Sequence, residues 1–254
     1  MTPSSKELEK RLSQLKKEVP RRGFERHPLL LQNISELDAE LKSDAVMALA
    51  AINTIHTIIA FPPQLQRGSQ YVPKQALLFT STDVIHLQAS LWPDQAPQVI
   101  SLKGSGLMFM TVTLILLYGF LEIVAQGPTS PASLTVEFNT VAWYKLSKPL
   151  KQLLQTTRAV PTARTDQAII SSAAQQAFET LPLKFSNGLQ IYGLLPGEEL
   201  QDLVFQPGEW KRWLVVFRRS ILANTLLLLT TNYVVVIREE AQVSWGWIIT
   251  YIPR

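Results

Sequence analysis

Residues 104–121 form a run of 18 uncharged residues, GSGLMFMTVTLILLYGFL. Whether that run crosses a membrane or lies inside a sheet decides the fold class. A membrane helix needs about 20 predominantly apolar residues, and this run is cut at Glu122. Within it Thr111, Thr113 and Gly119 are mixed with β-branched and aromatic residues, a composition suited to a buried pleated surface. Gly127 to Pro131 then reads as a turn cluster. Beyond it Leu134, Val136 and Phe138 alternate with Thr135, Glu137 and Asn139, the period of a strand with one wet face. Sheet core is therefore the expectation. A second 18-residue uncharged run, 220–237, carries Asn224, Thr230, Thr231 and Asn232, which argue against a continuous membrane helix there too.

The two runs are linked by an internal repeat at a spacing of 150. LLFTSTDVIHLQ, Leu77 to Gln88, aligns without gaps on LLLTTNYVVVIR, Leu227 to Arg238, and the same offset carries Val99–Leu102 onto Ile249–Ile252. Each copy reads as strand, short polar turn, strand, wet loop and strand. The first copy continues through residues 104–139 into a helix capped by Asn139 or Thr140, with Trp143, Leu146, Leu150 and Leu153 on its apolar face. Pro149 should kink that helix or restart it with Ser147 as a new cap. The second copy reaches Arg254 with roughly 50 residues of the unit unmatched, so the sequence reads as a fragment or an interrupted frame. Its strands from 226 onward would then offer open edges for pairing with another chain.

The net positive charge is confined to one end. Eight of the 24 Lys and Arg and four of the 20 Asp and Glu fall within residues 1–26, leaving sixteen of each sign in the remainder. The basic balance therefore describes an N-terminal arm, and nucleic acid is not the expected partner of the body. Ser4 and Glu7 form a capping box for a helix with Leu8, Leu12, Leu15 and Val19 on a narrow stripe, stopped by Pro20. Lys16, Lys17, Arg21, Arg22 and Arg26 cluster at its end. They suit either a solvated helix terminus or weak contact with an anionic lipid surface. Ser35 and Asp38 begin a second expected helix, with Leu37, Leu41, Ala45, Leu49, Ile52, Ile55 and Ile59 at helical spacing up to Pro62-Pro63. His56 beside that stripe reads as a satisfied core or edge histidine. Between the copies, Thr156 to Asp166 reads as a linker, Gln167 to Leu181 as a helix, and Asn187-Gly188 as a hairpin turn.

LLFTSTDVIHL, PQVISLKGSG, LILLYGFLEIV and LTVEFNTVAWYKLSKPLKQLL together resemble a bacterial pleckstrin-homology-like (PH-like) domain, and LLPGEEL, LLLLTTNYVVVI and IITYIPR are similar to the opening of another. The resemblance implies an α+β chain: a bent antiparallel sheet or partial barrel with a capping helix, repeated. The expected organisation is a helical N-terminal extension over 1–63, a PH-like domain over 64–155, a linker and helix over 156–183, and an incomplete second PH-like domain over 184–254. It also implies protein or lipid contact in place of catalysis. Phosphoinositide-binding relatives of that fold carry cations in the first hairpin loops, whereas Gln88 to Gln98 has Asp94 as its one charge, and Glu239 and Glu240 stand in the matching second loop. Trp92 in the first loop is either a contact residue or part of the sheet-edge packing.

No catalytic, cofactor or metal site is expected. His27, His56 and His86 are isolated, no nucleotide-binding glycine motif is present, and there is no cysteine for a thiolate site or a disulfide. Adjacent Glu198 and Glu199 point to different faces of any regular element and make no acid/base pair. The sequence thus reads as a non-enzymatic, cytoplasmic, bacterial-type binding or scaffold protein of PH-like fold. Its partner would be a protein or a second copy joined through strand edges, with membrane association through the basic arm. The competing reading is an integral membrane protein spanning the bilayer at about 104–121 and 220–237.

Overall fold

The computed structural model describes residues 4–20, 27–44, 46–47, 54–66, 70–157, 168–213, 217–240 and 246–254. They form a mixed α+β structure with four α-helices, several antiparallel sheets and no closed barrel among the described residues. Two compact units interleave along the chain: Met1–Ser105 with Val136–Leu153, and Gly106–Thr135 with Leu154–Arg254.

The first unit opens with α1 (Ser5–Glu18), whose capping box forms as the sequence dictates: the Glu7 amide donates to the Ser4 hydroxyl, and the Ser4 amide to the Glu7 carboxylate at 2.8 Å. Then come β1 (Leu29–Leu31) and two 3-10 turns, Ile34–Glu36 and Ala39–Leu41. The helix expected up to Pro62 gives way to a strand, β2 (Ile55–Phe61), while Ala45, Leu49 and Ile52 lie outside the described residues. IHTIIAF is rich in β-branched residues, and pairing with β1 on one side and the next long strand on the other outweighs its helical spacing. A hairpin of β3 (Gln64–Gln66) and β4 (Gln70–Val72) leads to β5 (Gln75–Thr80), β6 (Asp83–Gln88) and β7 (Gln98–Lys103), giving a sheet in the order β1-β2-β5-β6-β7. Leu37, Leu41 and Val46 cover one face of it, packed with Ile58, Ala76, Leu78, Ile85 and Leu87. This unit also holds most of α2 (Trp143–Thr156), entered from Asn139, whose side chain accepts the Val141 amide at 3.0 Å. The helix runs through Pro149 without restarting at Ser147. The proline ring is buried in the stripe of Leu146, Leu150 and Leu153, and that burial offsets the one backbone bond it removes.

In the second unit both uncharged runs become strands. The first supplies β8 (Leu107–Ile115) and the start of β9 (Tyr118–Gln126), β10 (Pro131–Phe138) follows it, and no described helix is long and apolar enough to cross a membrane. The two-residue β11 (Ile169–Ile170) and α3 (Ser172–Glu179), capped by Ser171, replace the longer helix expected from Gln167. α4 (Leu183–Gly188) and a π-helical turn over Leu189–Gly193 occupy the place of the expected hairpin at Asn187-Gly188. Packing decides this: the Phe185 ring lies 4.8 Å from Phe205 and 5.2 Å from Trp247, and a Cβ at Gly188 would meet Trp247 at 3.3 Å. The remaining strands are β12 (Glu199–Gln206), the hairpin β13 (Glu209–Trp213) and β14 (Phe217–Leu222), β15 (Thr225–Thr230), β16 (Tyr233–Glu239) and β17 (Gly246–Pro253). The sheet order is β10-β9-β8-β17-β16-β15-β12-β11. The edge of β17 expected to be open is taken by β8 from Gly246↔Ile115 to Tyr251↔Met110, and Thr111 and Thr250 share a 3.1 Å hydroxyl bond across that joint.

The two sheets share their registers. β5 pairs with β6 from Gln75↔Gln88 to Phe79↔Val84, and β15 with β16 from Thr225↔Arg238 to Leu229↔Val234, the same pairs displaced by 150. β6–β7 and β16–β17 match in the same way, Val84↔Leu102 answering Val234↔Ile252. β2–β5 and β12–β15 also correspond, with a bulge between Ile55 and Thr57 in one and between Leu200 and Asp202 in the other. Even the clip at the turn recurs: the Thr80 hydroxyl accepts the Asp83 amide at 2.9 Å, and the Thr230 hydroxyl accepts the Tyr233 amide at 3.1 Å.

The β8–β9 turn holds Leu116 at φ 47° with its side chain exposed, a conformation that disfavours a residue with a Cβ. Leu116→Gly is expected to stabilise the protein by about 1 kcal/mol, read as a higher urea midpoint at an unchanged slope. A lower midpoint would show that the leucine contributes packing at the tip.

Candidate interaction surface

The residues singled out by sequence do not converge on one site. Lys16 and Lys17 are exposed on the last turn of α1, at the negative end of its dipole, and Arg21, Arg22 and Arg26 lie outside the described residues. Trp92 is half-buried in the loop after β6, where its amide donates to the Ser90 hydroxyl at 3.1 Å and the neighbouring Leu91 carbonyl accepts from Arg11 Nε of α1 at 3.0 Å. It shares a concavity of about 240 Å³ with Leu15, Tyr71, Glu18 and Glu40. Trp92 therefore helps dock α1, and the carboxylates beside it make a poor cradle for phosphate.

Chemistry-bearing side chains are equally dispersed. No group of three or more His, Asp or Glu able to hold a metal occurs among the described residues. His56, expected in a core or edge position, is exposed on β2. His86 is the buried one, and neither ring nitrogen has a hydrogen-bond partner among the described residues. Burial holds its imidazole down at about 4, from an ordinary value of 6.5.

Glu198 is fully buried at the β15–β16 turn. One of its carboxyl oxygens accepts from the Thr230 hydroxyl and the Asn232 amide, and the other from Asn232 Nδ2, each at 2.9 Å. A buried carboxyl with that set of donors is a structural brace. Sequence reasoning stopped at the Glu198-Glu199 doublet and missed this role, for which the Thr-Thr-Asn turn was the available cue.

The brace holds β15 and β16 where they display an open apolar face. By register, Val204, Leu227 and Val236 lie in one row across β12, β15 and β16, and Leu229, Val234 and Ile252 lie in the next row over β15, β16 and β17. Val204, Leu227 and Ile252 are 58%, 43% and 39% exposed, and the other three are half-buried. The opposite side of the same strands is closed: Leu226, Leu228, Val235 and Ile237 are all buried. Beside the apolar rows lies a concavity of about 560 Å³ lined by Thr225, Val236, Arg238, Glu240, Ile248 and Thr250. Contiguous exposed apolar surface of this kind makes the face a candidate interaction site. The sequence hid it because LLLL and VVVI read as strands buried on both sides.

No protein-family model, curated protein or solved structure matches the chain.

Two outcomes test these assignments. Because its folded-state value lies below the unfolded one, His86 contributes stability that is complete above pH 6.5 and is lost as pH falls towards 4, on the order of 3 kcal/mol in all. His86→Leu should flatten the fall in urea midpoint over that window, and an unchanged slope would place the acid-sensitive group elsewhere. Glu198→Ala removes the acceptor of three hydrogen bonds, from the Thr230 hydroxyl, the Asn232 amide and Asn232 Nδ2, and should cost about 3 kcal/mol in the same denaturation experiment.

Proposed function

We propose that the chain is a non-enzymatic binding protein in which one PH-like supersecondary unit is used twice, and that it engages a protein partner. The observation that carries the reading is the half-exposed apolar face of β12, β15, β16 and β17, presented on strands whose other side is closed. Such a surface loses little by being rigid and gains free energy when covered, at about 25 cal/mol per Å² of apolar area removed from water. The duplication is supported by the matching registers, bulges and threonine clips of the two sheets. A PH-like assignment accords with strands followed by the helix Trp143–Thr156, entered through a 3-10 turn capped by Asn139. The dispersal of titratable groups favours binding over turnover, and the basic end of α1 supplies at most an auxiliary contact with anionic lipid. A reducing, cytoplasmic setting suits a chain without cysteine.

Affinity purification of the tagged full chain from its native cells should retain at least one protein in stoichiometric amount at physiological salt. Retention of no protein, across several salt and detergent conditions, overturns the reading.

A further inference from the structure

The two larger sheets end in four edge strands, β1, β7, β10 and β11, and three of them are blunted. β1 has three residues and β11 two. β10 starts at Pro131, which has no N–H to offer, and its Glu137 carbonyl accepts from Gln64 Nε2 at 3.0 Å. β7 is the exception, with six residues, QVISLK, and Lys103 at its end as the one charge. The phase of its backbone is set where the Gly104 amide donates to the Thr82 carbonyl at 2.8 Å. Bonds to β6 therefore fall on Gln98, Ile100 and Leu102, and the N–H and C=O groups of Val99 and Ser101 point away from the sheet. No hydrogen bond reaches that outer row among the described residues.

β17 has the same phase, because the Arg254 amide donates to the Asn232 carbonyl at 3.0 Å, 150 residues on. There the outer row is filled: Ile249 and Tyr251, the counterparts of Val99 and Ser101, face Val112 and Met110 of antiparallel β8. The side chains of β7 add a second constraint. Gln75, Gln88 and Gln98 stand in one row across β5, β6 and β7, and Gln75 Nε2 donates to Gln88 Oε1 at 3.1 Å. The row begins at a buried amide and ends at Gln98, which is exposed on the open edge. At that end lies a concavity of about 360 Å³, lined by Tyr71, Pro73, Leu91, Ala96 and the amides of Gln88 and Gln98, with no charged residue in its wall.

We propose that β7 takes up an extended segment of a partner protein as an added antiparallel strand, with an amide side chain, Gln or Asn, opposite Gln98. A row of backbone donors and acceptors two residues apart is matched by another extended backbone, and the pairing of β17 with β8 supplies the direction. The partner's amide continues the glutamine row, and its uncharged neighbours suit the concavity. A second copy of β7 fits less well: about a two-fold axis Gln98 would face Gln98 only with Pro97, which has no N–H, opposite Val99. The site goes beyond the reading above, which is carried by the second unit and stands or falls separately.

The probe is a fluorescein-labelled nonapeptide, Lys-Thr-Val-Thr-Val-Thr-Gln-Thr-Lys, whose glutamine falls opposite Gln98 when the strands are antiparallel. Anisotropy titration with the full chain should give saturable binding. N-methylation of the two threonines opposite Val99 and Ser101 should abolish it, and N-methylation of the two valines should leave it unchanged, since only the first pair bonds across the edge. Replacing the peptide's glutamine by leucine should weaken binding about threefold. Val99→Pro removes an outward donor and none of the bonds to β6, and should weaken binding at least tenfold with the thermal melt unchanged. In the unaltered chain the peptide should slow hydrogen exchange of the Val99 and Ser101 amides at least tenfold, a readout that needs no variant. Absence of saturable binding, equal binding of the two methylated peptides, or unchanged exchange at Val99 and Ser101 overturns the proposal. So does a dimer in sedimentation that Val99→Pro dissociates and the peptide fails to compete, since a second copy would then hold the edge.

Discussion

The hydroxyl groups of Thr80 and Thr230 set the registers on which both sheets depend. Each accepts the amide three residues on, closing the turn between two apolar strands. Side chains in a strand alternate with a period of two, so a slip of one residue would exchange the faces and send buried leucines to solvent. The clip therefore selects which apolar set is committed to the core. In the second unit the selection is reinforced by Glu198, whose buried carboxyl accepts hydrogen bonds from the Thr230 hydroxyl and from two Asn232 donors. Polar groups here do not compete with the hydrophobic core. They determine its orientation.

Once the register is fixed, an uncovered face carries a cost. Strands such as LLLLT and YVVVI carry apolar residues on both sides, and burial of one side leaves the other to be covered or exposed. The first unit covers both sides, and accepts in doing so an imidazole, His86, with no polar partner among the described residues. The corresponding position in the second unit is Val236, where an apolar side chain borders a concavity instead. Two sheets with matching registers thus differ chiefly in what lies over them, and that difference separates a core from an exposed apolar face.

Much of this was readable from residues alone. The strand–turn–strand character of 77–88 and 227–238, the sheet character of 104–138 and the capping box at Ser4 all rest on local chemistry: alternation, turn residues and a side chain within reach of an amide. Elements decided by distant partners were not readable. Ile55 and Ile59 sit at helical spacing, yet strands on both sides draw them into a sheet. Asn187-Gly188 has hairpin chemistry, but Trp247, some sixty residues on, takes the segment as a helix. The open face lay beyond sequence reasoning for a related reason: the pattern of a strand records which residues are apolar, not whether anything arrives to cover them.

The joint between β8 and β17 bears on the order of events during synthesis. Thr111 and Thr250, which bond across it, are separated by 139 residues. The strand containing Thr111 leaves the ribosome long before its neighbour exists, at an elongation rate of about 5–20 residues per second. For that interval β8 has a free row of amides and carbonyls, the kind of edge that templates association with other nascent chains. Closure of so long a loop is also entropically slow, so completion of the eight-stranded sheet should be a late event in folding. The stretch of chain between the two threonines then sets the delay before that edge is closed, in a sheet assembled from the middle of the sequence and its last third.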